Sequence, residues 1–144
     1  MNAAAQAVTI VMVEDDEGHA RLIEKNLKRA GVYNDVKHFA SGTAAVHYLL
    51  GPNRPKTNPL LVLLDLNLPY MSGIDILGQL KEDEQLRMAP VIVLTTTDDE
   101  REIRRCYELG CNVYITKPVN YETFAMAIRQ LGLFLAVIQV PPPG

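Results

Sequence analysis

The 144-residue sequence predicts a doubly wound α/β domain, a five-stranded parallel sheet with five helices distributed over both faces. Three observations carry that expectation. Short β-branched or leucine-rich runs alternate with segments of helical periodicity, and the runs are apolar throughout rather than alternating, as strands covered on both faces must be. Acidic, hydroxyl or basic residues stand directly beyond the carboxyl ends of these runs. With 48 % hydrophobic and 22 % charged residues, 9 Gly and 9 Pro, the composition is that of one globular domain able to bury a core without disulfide or metal staples.

The first strand is expected from Val8 to Val13, stopping at Glu14, Asp15 and Asp16. A helix follows in which Ala20, Ile23, Leu27 and Ala30 recur in steps of three or four, with Asp16 as its cap and Gly31 offering a left-handed stop. Asp35 to Ala40 reads as a short second strand, and Ser41 is placed to cap a helix reaching Leu50 before Gly51. Asn53 to Pro59 reads as a loop. Leu60 to Leu64 is the clearest buried strand and ends at Asp65; a turn containing Pro69 and Gly73 leads into a helix over Ile74 to Lys81. Pro90 opens a fourth strand, Val91 to Leu94. Thr97 and Glu100 have capping-box spacing before a helix that ends at Gly110, and Asn112 to Ile115 forms the fifth strand. Asn120 can cap the final helix. Right-handed crossovers between such units give a flavodoxin-like sheet, in which the order 2-1-3-4-5 makes the first and third strands neighbours.

The balance of charge excludes several classes. Lys and Arg number 14 against 17 Asp and Glu, a formal net charge of -3, and no basic run could follow a phosphate backbone, so no nucleic acid is expected as a direct partner. The longest nearly apolar stretch, Leu131 to Val140, contains Gln139 and falls short of the roughly 20 residues a bilayer requires. The amino terminus lacks Lys or Arg before its apolar segment, unlike a secretory signal, so no membrane association and a cytoplasmic location are expected. Cys106 and Cys111 have no second Cys pair or nearby His to complete a zinc site, and read as reduced, packed thiols. The expected organisation is a flexible segment over 1–7, a domain over 8–130, and a helical extension with a Pro-rich tail over 131–144.

In doubly wound sheets, functional residues collect beyond the carboxyl ends of the strands, where strand order reverses. Here Glu14, Asp15 and Asp16 follow the first strand, Asp65 the third, Thr95 and Thr96 the fourth, and Lys117 the fifth. With the first and third strands adjacent, the acidic run faces Asp65. Like charges at 4 Å repel by about 4 kcal/mol at an effective dielectric of 20, so carboxylates brought together need a cation, for which Lys117 and a divalent metal are the candidates. All-oxygen ligation suits magnesium. An acidic triplet alone reads first as a solvated helix entry, where acids favour the amino-terminal dipole. Asp65 shifts the balance, because an acid placed directly after five apolar residues is costly unless a cation or hydrogen bonds compensate it.

Val-Glu-Asp at 13–15, Asp-Leu-Asn-Leu-Pro at 65–69 with Gly73, Thr95-Thr96 and Lys117-Pro118 together resemble the signature of response-regulator receiver domains, over residues 8 to about 130. The resemblance implies that Asp65 is a phosphoacceptor, attacking the phosphorus of a phosphohistidine on a sensor histidine kinase. It implies magnesium bound by the side chains of Asp15 and Asp65, by the backbone carbonyl of Asn67, and by Glu14 through water or in support. The register within 14–16 stays open, with Asp16 assigned to the helix cap. Lys117 would pair with one phosphoryl oxygen and Thr95 would donate to another, with Thr96 beside the same group. Thr95 and Tyr114 match the family's switch pair, and Lys117-Pro118 matches a bond that is commonly cis. His19, His38 and His47 are expected to be solvated or locally bonded, none of them catalytic.

Beyond the site, Phe124, Ile128, Leu131, Leu135 and Ile138 form a four-three-four-three apolar stripe that could pack on the sheet or on a facing helix. Leu133, Phe134, Ala136 and Val137 make a second apolar face, which one contact surface cannot cover, so self-association as a homodimer is expected there. After Pro-Pro-Pro-Gly no effector domain is expected, and output through protein contact is the expectation. The Asp-Leu-Asn-Leu-Pro motif, the long linker before the third strand and the apolar tail resemble stand-alone regulators paired with bacterial phytochrome kinases. The expected function is a single-domain switch or phosphorelay intermediate phosphorylated on Asp65, with only self-directed phosphotransfer. Two other classes compete. A magnesium-dependent phosphatase of the haloacid-dehalogenase type would use an aspartate nucleophile, but looks for an acid two residues later, where this chain has Asn67. A flavodoxin-like cofactor binder would need a Gly-rich phosphate loop after the first strand, which is missing.

Overall fold

In the computed structural model, which describes residues 8–54 and 60–130, strand and helix alternate through the chain. The elements are β1 (Thr9–Val13), α1 (Glu17–Arg29), β2 (Val36–Phe39), α2 (Gly42–Leu50), β3 (Leu60–Leu64), α3 (Gly73–Glu82), β4 (Val91–Thr95), α4 (Glu100–Leu109), β5 (Val113–Thr116) and α5 (Tyr121–Gln130). All strand pairs are parallel and the order is β2-β1-β3-β4-β5, as the sequence predicts. The register between β1 and β3 runs from Thr9 opposite Leu60 to Val13 opposite Leu64, so Glu14 and Asp65 leave the sheet at the same level.

The apolar runs have no alternation because both of their faces are covered. Ile10, Met12, Leu61, Leu63, Ile92 and Leu94 point to one side and pack against Ile23 and Leu27 of α1 and Phe124 and Ile128 of α5. Their neighbours Val11, Val13, Val62, Leu64, Val91 and Val93 point to the other, against Leu49 of α2, Ile76, Leu77 and Leu80 of α3, and Cys106 of α4. Each fully buried aliphatic side chain contributes about 1.5–3 kcal/mol, so the central strands are held from both sides. The two cysteines are free and buried, and burial pushes the Cys111 thiol up to about 12.

Local chemistry sets the helix ends. Asp16 accepts from the His19 N–H at 2.9 Å, Ser41 from Ala44 at 3.0 Å and Asn120 from Thr123 at 2.8 Å, three of the four caps expected. Gly31 and Gly110 adopt the left-handed region at φ 84° and 107°. Gly73 has a different reason: a Cβ there would lie 2.3 Å from the Asp65 carbonyl oxygen, so the start of α3 presses directly on the backbone of the candidate site. The Lys117-Pro118 peptide is cis.

α1 begins at Glu17, directly after the expected Asp16 cap. Two expectations need correction. Thr97 does not cap α4: the Asp99 carboxylate accepts from Arg101 N–H at 2.9 Å, a charged acceptor nearer the first turn, and the Thr97 hydroxyl donates to Glu102 at 3.2 Å. Phe124 and Ile128, assigned to a self-association stripe, are buried in the chain's own core against the sheet and have no surface left to offer a partner. The rest of that stripe, Leu131, Phe134, Leu135 and Ile138, lies outside the described residues, as does most of the loop before β3. Among the described residues, no helix is long and apolar enough to cross a membrane.

Candidate functional site

Parallel strands end at a common edge, and here the backbone ladder continues one residue beyond them. Glu14 N–H donates to Phe39 at 3.0 Å, Asp65 N–H to Val13 at 3.0 Å and Lys117 N–H to Thr95 at 2.7 Å. The three charged residues are therefore fixed by the sheet itself before their side chains make any contact. Glu14 and Asp65 are buried, at 1 % and 5 % exposure, while Asp15 faces solvent. One oxygen from each of Glu14, Asp15 and Asp65 lies within 4.8 Å of the others. Asp16 turns away to its cap, where the His19 N–H holds its carboxyl below the ordinary value.

Lys117 enters this cluster from β5. Its ammonium donates to Glu14 Oε1, to Asp65 Oδ2 at 3.2 Å and to His19 Nδ1 at 3.2 Å. Burial raises the Glu14 carboxyl above its usual value, the Lys117 hydrogen bond opposes that rise, and the neighbouring Asp65 charge adds to it. Three carboxylates against one ammonium leave the cluster short of positive charge. Hard oxygen donors with one member open to water fit a divalent cation of the magnesium or manganese kind, held by Glu14, Asp15 and Asp65.

On the other flank, Asn67 N–H donates to Asp65 Oδ1 at 3.0 Å, and its side-chain amide donates to Thr95 Oγ1 at 2.9 Å and Thr96 Oγ1 at 3.1 Å. Thr97 N–H reaches Thr95 Oγ1 at 3.4 Å, and the Tyr114 hydroxyl donates to the Thr97 carbonyl at 2.8 Å. Burial raises the half-buried Tyr114 phenol well above its ordinary value, which keeps it a donor. Thr95 and Tyr114 are thus joined by hydrogen bonds through Thr97.

The structure brings Glu14, Asp15, Asp65, Asn67, Thr95, Thr96 and Lys117 to one edge, with Tyr114 one link away. Sequence reasoning missed the ring of His19 and the side-chain role of Asn67. A signal for His19 was available: helical side chains lean toward the amino terminus, so a first-turn residue hangs over the strand end it follows. His38 is exposed, and its bond is not within its own segment: its Nε2 lies 2.7 Å from the Glu14 carbonyl, across from β2 to the end of β1. An open cavity of about 190 Å³ adjoins the cluster, bounded by His19, Leu22, Thr96, Lys117 and Val119.

The Response regulator receiver domain family matches residues 10–129. The Response regulator Rcp1 of Synechocystis sp. is 33 % identical over 135 residues, covering 92 % of each chain. Among solved structures, a response regulator receiver domain from Rhodospirillum rubrum is 64 % identical, with a TM-score of 0.77 over 93 % of this chain and 97 % of that one. The bacteriophytochrome response regulator RtBRR is 39 % identical, with a TM-score of 0.81 over 96 % of this chain and 86 % of that one.

Proposed function

This chain belongs to the response regulator receiver domain family, and from that membership we propose that it is a phosphoacceptor switch whose Asp65 takes a phosphoryl group from a sensor histidine kinase. The observation that carries the reading is the position of the Asp65 carboxylate, buried between Lys117 on one side and Asn67 on the other with Glu14 and Asp15 beside it. In the transfer, a carboxylate oxygen of Asp65 forms a bond to phosphorus while the phosphorus–nitrogen bond of the donor breaks, the electron pair returning to the imidazole. Glu14, Asp15 and Asp65, with the backbone carbonyl of Asn67, are the groups that would hold magnesium. When bound, that ion supplies positive charge against the carboxylates and the phosphoryl oxygens.

Lys117 meets one phosphoryl oxygen with its ammonium. Thr95 meets another as a donor: its oxygen already accepts from Asn67 and Thr97, so its proton is the capacity left to offer. Thr96, on the same Asn67 amide, lines the approach. Position 67 presents an amide that donates, and not the acid a phosphatase of the alternative class would use on its leaving group.

The relatives support a partner: solved neighbours include bacteriophytochrome response regulators, which favours a bacteriophytochrome as the kinase. The reading extends to a cytoplasmic, homodimeric regulator signalling through protein contacts, with Leu131, Phe134, Leu135 and Ile138 as the self-association residues. The test is phosphotransfer from a bacteriophytochrome kinase to wild type and Asp65→Asn. Wild type should acquire label in the presence of magnesium and Asp65→Asn none; label on the variant would refute the assigned acceptor.

A further inference from the structure

Lys117 has three ammonium hydrogens, and each has an acceptor: Glu14 Oε1, Asp65 Oδ2 and His19 Nδ1. Two of these are carboxylates, which the positive charge attracts in any orientation. The third is a ring nitrogen without negative charge, so what it adds is direction. An ammonium cannot accept a hydrogen bond, which means that Nδ1 turns its lone pair to Lys117 and the ring proton sits on Nε2. His19 is itself anchored, its N–H donating to the Asp16 carboxylate at 2.9 Å in the first turn of α1. The two elements that carry this bond are also tied elsewhere: Asn26 of α1 donates to the Val119 carbonyl at 3.1 Å, and the Arg29 guanidinium lies 4.5 Å from the centre of the Tyr121 ring.

Without the His19 bond, the Lys117 ammonium would keep the buried Glu14 and Asp65 carboxylates as its hydrogen-bond acceptors among the described residues, and its charge would settle on them. His19 and Lys117 both line the adjoining cavity, so the bond between them lies at its wall. His19 draws one hydrogen of the ammonium away from the carboxylates, and one of the oxygens of an incoming phosphoryl group takes that hydrogen by displacing the neutral Nδ1 rather than a charged carboxylate. We propose that His19 is a positioning residue for phosphoryl transfer to Asp65, holding Lys117 in the orientation that meets those oxygens; this rests on the phosphoacceptor reading above.

Acetyl phosphate tests the proposal without any kinase. The Asp65 oxygen–phosphorus bond forms as the phosphorus–oxygen bond to acetate breaks, and acetate leaves with the electron pair. Initial rates with magnesium, read as phosphoprotein by intact mass, are compared for wild type, His19→Ala, His19→Asn and Asp65→Asn, with thermal midpoints alongside. His19→Ala should be about five- to tenfold slower with an unchanged midpoint, since the bond lost is one to a charged group at a partly open site. His19→Asn should recover most of the rate, because its Oδ1 occupies the place of Nδ1 on Cγ. In a Lys117→Ala background, His19→Ala should add nothing. A His19→Ala rate equal to wild type overturns the inference alone, as does a loss that His19→Asn fails to restore or that persists without Lys117. Wild type taking no phosphoryl group, or Asp65→Asn still taking one, overturns the phosphoacceptor reading and the inference with it.

Discussion

The side-chain amide of Asn67 donates to the hydroxyl of Thr95 across 2.9 Å, tying the loop after β3 to the last residue of β4. Thr95 is fully buried, and the amide fills a lone pair that would otherwise be stranded away from water. Asn67 is in turn set by its own N–H on Asp65. A change at Asp65 therefore has a route through two hydrogen bonds to β4.

Removing either end of that bond tests whether it is used. Asn67→Ala and Thr95→Val should each destabilise by about 1 kcal/mol, the net worth of a buried neutral hydrogen bond. The pair should not add: the double variant should cost less than the sum by about 0.5–1 kcal/mol. Chemical denaturation of the four proteins checks this, and strict additivity would mean the bond does not stabilise the fold.

Added metal should stabilise the protein. If Glu14, Asp15 and Asp65 share a divalent ion, magnesium chloride at ten times its dissociation constant should add about 1.4 kcal/mol, read as a thermal midpoint a few degrees higher. Asp15→Asn should remove most of that increment while leaving the metal-free midpoint little changed, because Asp15 is exposed. An increment that survives the substitution would move the ion to other ligands.

The strands were legible in the sequence because a run covered on both faces has no alternation to disguise it; β3 was placed to the residue, and Asp65 stood out by ending it. Lys117 and Thr95 followed from the same rule about strand ends. What stayed hidden depended on facts periodicity does not carry. The Phe124–Ile128 stripe states that something covers it, not whether that is the sheet or a second chain, and the sheet covers it. The α4 cap hinged on which of two acceptors, Thr97 or Asp99, lies nearer the free N–H groups. The His19 and Asn67 contacts exist only once segments far apart in the chain are brought to one edge.

Acid should weaken the fold in part through Asp83. The Arg54 guanidinium at 2.8 Å, with the N–H groups of Leu86 and Gln85, holds its carboxyl below the ordinary value. A depressed folded-state pKa contributes stability that is present above the unfolded value of about 3.9 and is lost as pH falls through the folded one. Solvent screens this partly exposed pair, so Asp83→Asn should cost about 1 kcal/mol at pH 7 and progressively less below pH 4. Denaturation curves at both values check the sign; a gap that widens in acid would contradict it.

Tyr114 should report on transmission rather than on phosphorylation. Its hydroxyl holds the Thr97 carbonyl at 2.8 Å, while the Thr97 N–H leans on Thr95, so the ring grips the β4–α4 connection one residue pair away from the site. Tyr114→Phe keeps the half-buried ring and removes only that grip. It leaves Asp65, Lys117 and the acidic cluster untouched, and the Thr97 carbonyl can turn to water. The loss in stability should therefore stay near 1 kcal/mol. Acetyl phosphate should load the variant within about twofold of the wild-type rate, since no group near the phosphorus has changed. What should diminish is the coupling: amide exchange over residues 95–99 should respond to phosphorylation in wild type and much less in the variant. A Tyr114→Phe protein that loads tenfold more slowly would place the ring in the chemistry itself. One whose loop responds as fully as wild type would show that the link from Thr95 bypasses the phenol.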